Sequence, residues 1–360
     1  MDKDNQTTEK KTKQKKPVNI LFKYHRIVLG LFFLIAFWTS YWIWLDYRNF
    51  VKQPIEFNAE QQRLVIERGM GVNRLASQLH AQGLIKRPIY LKILAYLKPE
   101  YKQIKVGEYQ LGQRMKPEQL LTQLSEGNVI QYAFTIVEGQ TIYQVLDNLS
   151  DEKDLKQLKI NEPIDLLHPL EIESTSPEGW LFPETYYFIK GDTAIDLLKR
   201  ATKAMKLALM EEWQDRAAGL PYQSPYEALI MASIIEKETA IPEERDEIAG
   251  VFVRRLQKKM RLQTDPTVIY GIGPDFNGDI TRKDLKTPTA YNTYVIKGLP
   301  PTPIAMPSRA SIHAALHPAP GSSLYFVADG TGGHYFSETL EEHQLAVKRM
   351  LKRLRENKSR

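Results

Sequence analysis

Two carboxylates, Glu236 and Glu238, stand at the end of an almost wholly apolar run, 224–239, where charge is unexpected. If the run is a buried helix, Glu238 lies over two isoleucines and Glu236 lies over Ser233 and an alanine. Desolvation, the negative end of the helix dipole and the neighbouring carboxylate would all raise the pKa of Glu238. A raised pKa suits a general acid that works near neutral pH. The alternative is a solvated helix end without function.

Local capping signals predict where this helix begins. Ser224 can cap it, Pro225 suits the first helical position, and Glu227 completes a capping box by reaching back to the Ser224 amide. A long helix over about 193–218 precedes it. The acids are therefore expected at the far end of a helix whose start is well defined.

Charge and composition limit the function classes. The chain has 360 residues, with 49 Lys/Arg, 43 Asp/Glu and no cysteine. Residues 1–26 hold eight of the basic residues and three of the acids, so they form a basic tail and the rest is almost neutral. A nucleic-acid partner is not expected for a body without excess positive charge. Without cysteine, the fold must be held without disulfides.

An uncharged stretch of nineteen residues, 27–45, is long enough to cross a bilayer once. Its Trp and Tyr side chains gather toward the far end, as in an interfacial belt, and the basic tail precedes it. The sequence thus predicts a single-pass anchor in the cell (inner) membrane, with a cytoplasmic tail 1–26 and the body on the periplasmic or outer face. A cleaved signal peptide is the alternative, but no small-residue cleavage site follows.

Residues 56–150 contain a weak repeat of a strand-like run, a glycine turn and an amphipathic helix, starting at Leu64, Tyr109 and Phe134. The third copy resembles a LysM-type glycan-binding unit, so a small LysM-like α+β module is predicted here. These units could instead only pack between the anchor and the domain that follows. The predicted fold class is α+β: one N-terminal transmembrane helix, this module, and a mixed α+β catalytic domain over 151–345, with a basic helix end at 346–360.

Polar and aromatic loops rich in Thr, Tyr, Asn and Pro follow the acidic helix end, at 261–273, 287–294 and 298–304. Such groups can position many hydroxyls without adding charge, which suits an oligosaccharide. An aromatic segment with two acids, 178–188, could line the same groove. Ordinary turns and core strands also use these residues, so composition alone does not decide.

Two other motifs receive little weight. His313 and His317 are four residues apart, but no Glu stands between them and Pro318 ends the segment, so no metal site is predicted. Ser233 lacks the glycines of a nucleophile elbow. No cofactor is expected.

Six segments of the C-terminal half form long and specific motifs. They are M-A-S-I-I-E-K-E-T-A (231–240), E-R-D (244–246), M-R-L-Q-T-D-P-T-V-I-Y-G (260–271), T-P-T-A-Y-N-T-Y (287–294), G-L-P-P (298–301) and Y-F-V-A-D-G-T-G-G-H (325–334). Together these motifs resemble the endolytic murein transglycosylases, the YceG-like family. The resemblance implies cleavage of the β-1,4 bond between N-acetylmuramic acid and N-acetylglucosamine in nascent peptidoglycan, with the sugar's own 6-hydroxyl as nucleophile and a 1,6-anhydro end as product. It also implies peptidoglycan strands as substrate and peptidoglycan synthases (penicillin-binding proteins) as partners.

Aligned on these motifs, the family's catalytic glutamate falls on Glu238, with Glu236 in reserve. One carboxyl group can suffice when the substrate supplies the nucleophile. The candidates to bind sugar are Tyr186, Glu184, Gln263, Asp265, Tyr291 and Asn292. Two other classes stay open: a noncatalytic membrane-anchored peptidoglycan-binding scaffold, and a glycoside hydrolase that pairs Glu238 with Asp265 or Glu184.

Overall fold

The computed structural model describes residues 20–330 and 332–358. The chain divides into two compact units. The N-terminal unit comprises residues up to 105 together with 109–128, and the C-terminal unit comprises 106–108 together with 129 onward. This division falls near residue 129, earlier than the predicted boundary at 150/151. Most of the predicted basic tail lies outside the described residues.

The first helix, α1 (Ile20–Lys52), contains the predicted span 27–45 and extends beyond it on both sides. Its part from Tyr24 to Lys52 is long and apolar enough to cross a membrane, and none of its most apolar stretch is buried against the protein. Within the described residues it alone meets that criterion. The helix is therefore compatible with a membrane anchor.

The rest of the N-terminal unit is built from short strands and three helices around a leucine-rich core. Leu75, Leu91 and Leu120 are fully buried, one from each helix. Strands β1 and β4 pair in antiparallel fashion. The elements are β1 (Ile55–Glu56), β2 (Arg63–Ile66), α2 (Val72–Ala81), α3 (Pro88–Leu97), β3 (Gly107–Gln110), β4 (Arg114–Met115) and α4 (Pro117–Glu126).

The described residues of the C-terminal unit form two antiparallel strand pairs and seven α-helices. Strand β5, from the third sequence repeat, pairs with β6, which explains why this repeat belongs to the C-terminal unit. Strands β7 and β8 pair in antiparallel fashion as a hairpin. The elements are β5 (Gln131–Thr135), α5 (Ile142–Ser150), β6 (Thr185–Ile189), α6 (Ala194–Gln214), α7 (Pro225–Glu238), α8 (Arg245–Gln257), α9 (Asp265–Ile272), α10 (Arg309–Leu316), β7 (Tyr325–Ala328), β8 (His334–Ser337) and α11 (Leu340–Lys358).

Helix α7 lies in the core of this unit, as its apolar sequence predicts. Eight consecutive residues, Ala228–Ile235, are buried, and the helix packs against α6, α8 and α10. One of these eight residues, Ser233, is polar, and its hydroxyl is hydrogen-bonded within the core: it donates to Ile230 O (2.7 Å) and accepts from Ile304 N (3.0 Å). The core therefore fixes the helix end that carries the two acids.

The predicted capping box of α7 is half present. Ser224 Oγ accepts the amide of Glu227 at 3.4 Å, as predicted. The Glu227 carboxylate, however, accepts from the amide of Gln223 at 2.6 Å rather than from Ser224. The carboxylate thus binds the amide one residue before the cap, so the prediction was wrong by one residue.

Candidate active site

Glu238 lies at the last turn of α7, facing the residues that begin α9. Its Oε2 accepts a hydrogen bond of 2.6 Å from Thr264 Oγ1. The residue keeps part of its surface exposed, while burial of the carboxyl group raises its pKa well above the ordinary value. The Thr264 hydroxyl opposes that rise and the charge of Asp265 adds to it. Among the described residues, Oε1 of Glu238 has no hydrogen-bond partner.

A loop, 291–294, holds the start of α9 in place beside Glu238. Thr293 accepts the amide of Thr264 at 3.1 Å through its hydroxyl, and Thr293 O accepts the amide of Gln263 at 3.2 Å. Gln263 adopts a left-handed backbone, with φ of 54°, which turns the chain sharply before the helix. Tyr294 donates its hydroxyl to Asp265 at 2.7 Å. These contacts bring Gln263, Asp265 and Glu238 together.

Two basic side chains moderate the negative charge at this point. Arg255 and His334 both lower the pKa of Glu238, by less than burial raises it. Arg255 is buried and donates to Leu324 O (2.6 Å) and Leu262 O (2.7 Å). Burial of the Arg255 guanidinium lowers its pKa. Arg255 therefore joins α8 to both the hairpin and the segment before α9.

Glu244 positions His334 at the site. Its two carboxylate oxygens accept from the amide of His334 at 2.8 Å and contact His334 Nδ1 at 2.7 Å. A side chain at Gly333 would meet Oε1 of Glu244 at 2.8 Å, so the glycine there permits the close approach. The hairpin is thus tied to the end of α7 through a residue of the E-R-D motif.

Glu236 points to a different place. Its Oε2 accepts from the amide of Ser308 at 2.9 Å and from the Ser308 hydroxyl. Ser308 caps α10, and a carboxylate near a helix N-terminus stabilises that helix. The two acids at the end of α7 thus differ in their surroundings, because Glu236 binds the cap residue of a neighbouring helix and Glu238 faces the loops.

A second buried carboxylate, Glu178, lies at the opposite end of α9. It is fully buried and accepts from the amide of Ile142 at 3.0 Å and the hydroxyl of Tyr270 at 3.0 Å. Burial raises the pKa of Glu178 to about 7, with the hydrogen bonds acting in the opposite direction. Glu178 therefore links the start of α5 to the end of α9.

Aromatic side chains line a cavity of about 420 Å³ near Glu178. Tyr270 and Tyr291 pack with ring centroids 4.9 Å apart, and the Tyr291 hydroxyl is 2.8 Å from Thr302 Oγ1. Glu238 is not among the residues that line this cavity. Glu238 lies near the start of α9 and the cavity lies near its end. The helix rises ~7.5 Å over the five residues from Asp265 to Tyr270.

Three of the predicted sugar-binding residues have other surroundings. Tyr186 is buried in the core beside β5, and its hydroxyl donates to Phe182 O at 2.8 Å. Glu184 is exposed, and its carbonyl accepts the amide of Ile136. Asn292 is buried and donates to Thr287 O at 2.7 Å and Asp284 O at 3.0 Å. The side chains of Tyr186 and Asn292 thus hold the fold, while Gln263 and Asp265 flank Thr264, the partner of Glu238, and Tyr291 lines the cavity.

His313 and His317 approach Glu212 in a cluster that could be considered for a metal ion. The Glu212 carboxylate contacts Arg309 Nε and His313 Nδ1, each at 2.8 Å. The two imidazoles stack with centroids 4.3 Å apart and planes at 23°. Imidazole lone pairs lie in the ring plane, so nearly parallel rings do not converge on one ion. The arrangement matches an ion-pair cluster.

Comparison with known proteins gives a uniform result. A curated protein of Bacillus subtilis (strain 168) named endolytic murein transglycosylase is 33% identical over 335 residues, which cover 85% of this chain and 89% of that protein. One of the same name from Streptococcus pneumoniae (strain D39) is 29% identical over 82% of this chain, which spans 59% of its length.

A crystal structure from Listeria monocytogenes, titled a putative yceG-like protein, is 31% identical with a TM-score of 0.50, and the match covers 79% of this chain and 98% of the other. The profile of the YceG-like family matches residues 64–349. This range includes Glu238, the loops that face it, most of the C-terminal unit and about half of the N-terminal unit. The chain belongs to the YceG-like family.

Proposed function

We propose that this chain is a membrane-anchored peptidoglycan lytic transglycosylase that cuts the β-1,4 bond between N-acetylmuramic acid and N-acetylglucosamine within nascent strands. The observation that carries the proposal is the site of Glu238, a carboxyl group with a raised pKa at the end of a rigid buried helix, open on its Oε1 side. The relatives named endolytic murein transglycosylase support the same reaction. By cutting inside strands, the enzyme limits their length.

Glu238 carries both proton transfers. As an acid it protonates the leaving glycosidic oxygen, and as a carboxylate it then takes the proton from the 6-hydroxyl that attacks the anomeric carbon. The new C–O bond closes a 1,6-anhydro ring, so no water is consumed and no second carboxylate is needed as nucleophile. Thr264 orients the carboxyl group through Oε2, which directs Oε1 toward the substrate.

The sugar chain lies along α9 in this proposal. Asp265 and Gln263, next to Glu238, bind hydroxyl groups at the scissile bond, and Tyr291 offers an aromatic face near the cavity. Glu184, exposed just before β6, binds a more distant part of the substrate. Tyr186 and Asn292 act through the strand and loop that they hold, because their polar atoms are already used within the protein.

The membrane part of the proposal places the basic tail in the cytoplasm and both units on the outer or periplasmic face, as the excess of Lys and Arg before the apolar span suggests. An enzyme anchored there meets strands as they leave membrane-bound synthesis, which favours a peptidoglycan synthase as partner. Labelling single cysteines from outside intact cells tests this orientation, since a cysteine in either unit should react and one in the tail should not. Crosslinking in cells to a penicillin-binding protein tests the partnership.

The LysM-like region 56–150 is proposed to bind glycan. Two of its strand–helix repeats belong to the N-terminal unit and the third to the C-terminal unit. Pull-down of the full-length Glu238→Gln variant on purified sacculi tests this idea. Substitution of exposed polar residues on α2, such as Arg74, should weaken retention if the first repeat contacts glycan.

The direct test is mass spectrometry of fragments that the full-length chain releases from un-crosslinked glycan strands, with and without borohydride reduction. Lytic cleavage predicts ends one water lighter than hydrolytic ends and unchanged by borohydride. Ends that borohydride reduces would support the hydrolase that pairs Glu238 with Asp265 or Glu184. Strand binding without any cleavage, by a protein whose fold is verified, would support the noncatalytic scaffold.

A further inference from the structure

An exposed apolar stripe runs along α3 in the N-terminal unit. Ile89, Ile93, Tyr96 and Leu97 expose 53%, 38%, 74% and 63% of their surface. They occur at i, i+4, i+7 and i+8, so they share one face of the helix. The opposite face is buried against the unit, through Tyr90, Leu91, Leu94 and Ala95. The helix is thus apolar on both sides, and only one side is covered by the described protein.

The first turn of α3 is attached to α1 where the apolar span ends. The uncharged stretch of α1 stops at Leu45, and Asp46 follows it. The Asp46 carboxylate accepts from the Tyr90 hydroxyl at 2.9 Å and pairs with Arg87 Nε at 3.1 Å. Tyr47 packs on the ring of Tyr90, with centroids 5.7 Å apart. If α1 crosses the membrane, the start of α3 is therefore at the level of the headgroups.

The charges around α3 also match a membrane surface. Residues 84–105 contain six Lys or Arg and one acid, and two of the six, Arg87 and Lys98, form ion pairs with Asp46 and Glu118. Lys102 Nζ lies 5.2 Å from the centre of the Tyr96 ring, at the edge of the stripe. A helix with an apolar face, an exposed tyrosine and flanking lysines is typical of segments that lie in the interface and bind anionic lipid.

We infer that α3 docks in the bilayer interface beside the anchor, with the Ile89, Ile93, Tyr96 and Leu97 stripe among the lipid headgroups. This inference rests on α1 being the membrane anchor proposed above. A second protein copy fits the stripe less well, because a helix of ten residues is ~15 Å long and one of its faces is far smaller than the ~800 Å² per partner of a stable interface. Docking at two points, α1 and α3, would fix the orientation of the N-terminal unit on the membrane.

The absence of native cysteine permits a site-specific test. Single cysteines at Ile93 and Leu97 would carry an environment-sensitive nitrobenzoxadiazole dye in the full-length chain, reconstituted in nanodiscs of phosphatidylcholine and phosphatidylglycerol. The matched control is Ser77→Cys, on the exposed polar side of α2. Lipids with a doxyl group near the headgroup should quench the dye at positions 93 and 97 several-fold more strongly than at position 77.

A fourth label, Ile35→Cys in the middle of α1, separates the two possible failures. Quenching at 35 by a deeply placed doxyl group, with quenching at 93 and 97 no greater than at 77, would overturn docking and leave the anchor in place. No quenching at 35 would overturn both the anchor and the docking. Blue-shifted emission at 93 and 97 without lipid quenching would show that protein covers the stripe, which also overturns the inference.

Discussion

The two ends of α9 each meet a buried carboxylate, and the two sites differ in how completely the carboxylate is bound. At the C-terminal end, Glu178 is fully buried and accepts from Ile142 N and Tyr270 Oη. At the N-terminal end, Glu238 is partly exposed, accepts from Thr264, and has the charge of Asp265 beside it. Burial raises the pKa of both acids, so a raised pKa alone does not identify the catalytic one. What distinguishes them is exposure, because Glu238 is partly exposed and Glu178 is not.

The largest expected effect concerns Glu238 itself. Glu238→Gln keeps the shape and the contact with Thr264 but cannot transfer a proton, so the rate of glycan cleavage should fall by roughly 10²–10⁴-fold. Rates of fragment release under saturating substrate measure this loss. Glu236→Gln is the matched control two residues away, and it should keep most of the activity. If Glu236→Gln were the inactive variant and Glu238→Gln the active one, the assignment would be reversed.

Glu178 should affect stability rather than chemistry. Its pKa is about 7 in the fold against 4.5 when unfolded, so between these values the unfolded chain loses a proton that the folded chain keeps. This group's contribution to stability is present below pH 4.5 and is lost as pH rises through 7, by about 3 kcal/mol. Glu178→Gln should remove that part of the pH dependence.

Urea unfolding of the wild type and Glu178→Gln at pH 5 and pH 8 measures this difference. Glu184→Gln, at an exposed carboxylate of the same motif, is the control and should keep the wild-type dependence. If Glu178→Gln keeps the wild-type dependence of stability on pH, then Glu178 is ionised in the folded wild type at both pH 5 and pH 8.

The Thr264 hydroxyl should set the upper end of the pH range for activity. It donates to the ionised carboxylate and lowers the pKa of Glu238, so Thr264→Val should raise that pKa further. A hydrogen bond to a charged group contributes about 1.5 kcal/mol, which corresponds to roughly one pH unit. Because the acid must be protonated, the alkaline limb of kcat/KM should move to higher pH. Thr264→Ser keeps the hydroxyl and should leave the limb in place; a shift with serine as large as with valine would exclude this explanation.

The smallest effect is expected at Asp265. Its negative charge raises the pKa of Glu238, less than burial does. Asp265→Asn should therefore move the alkaline limb to lower pH, opposite to Thr264→Val, with 1,6-anhydro ends still formed. The pH–rate profile measures the shift of the alkaline limb, and product masses show whether 1,6-anhydro ends are formed. Loss of all cleavage, with the fold intact, would instead indicate that Asp265 takes part in the reaction as a second carboxylate.

Local features could be predicted from the sequence because they depend on neighbouring residues. The start of α7 at Pro225 followed from the capping residue and the proline, and the long apolar helix α1 followed from composition. Burial raises the pKa of Glu238, which is the direction that side-chain position on a helix predicted. Even here, one hydrogen bond of the predicted cap has a different donor.

Features that depend on distant contacts could not be predicted. Thr264 is 26 residues from Glu238, and His334 is brought to the site by Glu244, 90 residues away. The third sequence repeat belongs to the C-terminal unit because β5 pairs with a strand about 50 residues further on. The sequence motifs contained Glu178, Thr264 and Tyr294, but nothing in their spacing indicated which side chains they contact.

The assignment of the proton transfers to Glu238 is tested by measuring how fast the wild type, Glu238→Gln and Glu178→Gln form 1,6-anhydro ends, at a temperature and pH where all three are folded. Glu178→Gln should form these ends at close to the wild-type rate, and Glu238→Gln should form almost none. Wild-type rates from Glu238→Gln, or their loss only in a folded Glu178→Gln, would contradict the assignment of the proton transfers to Glu238.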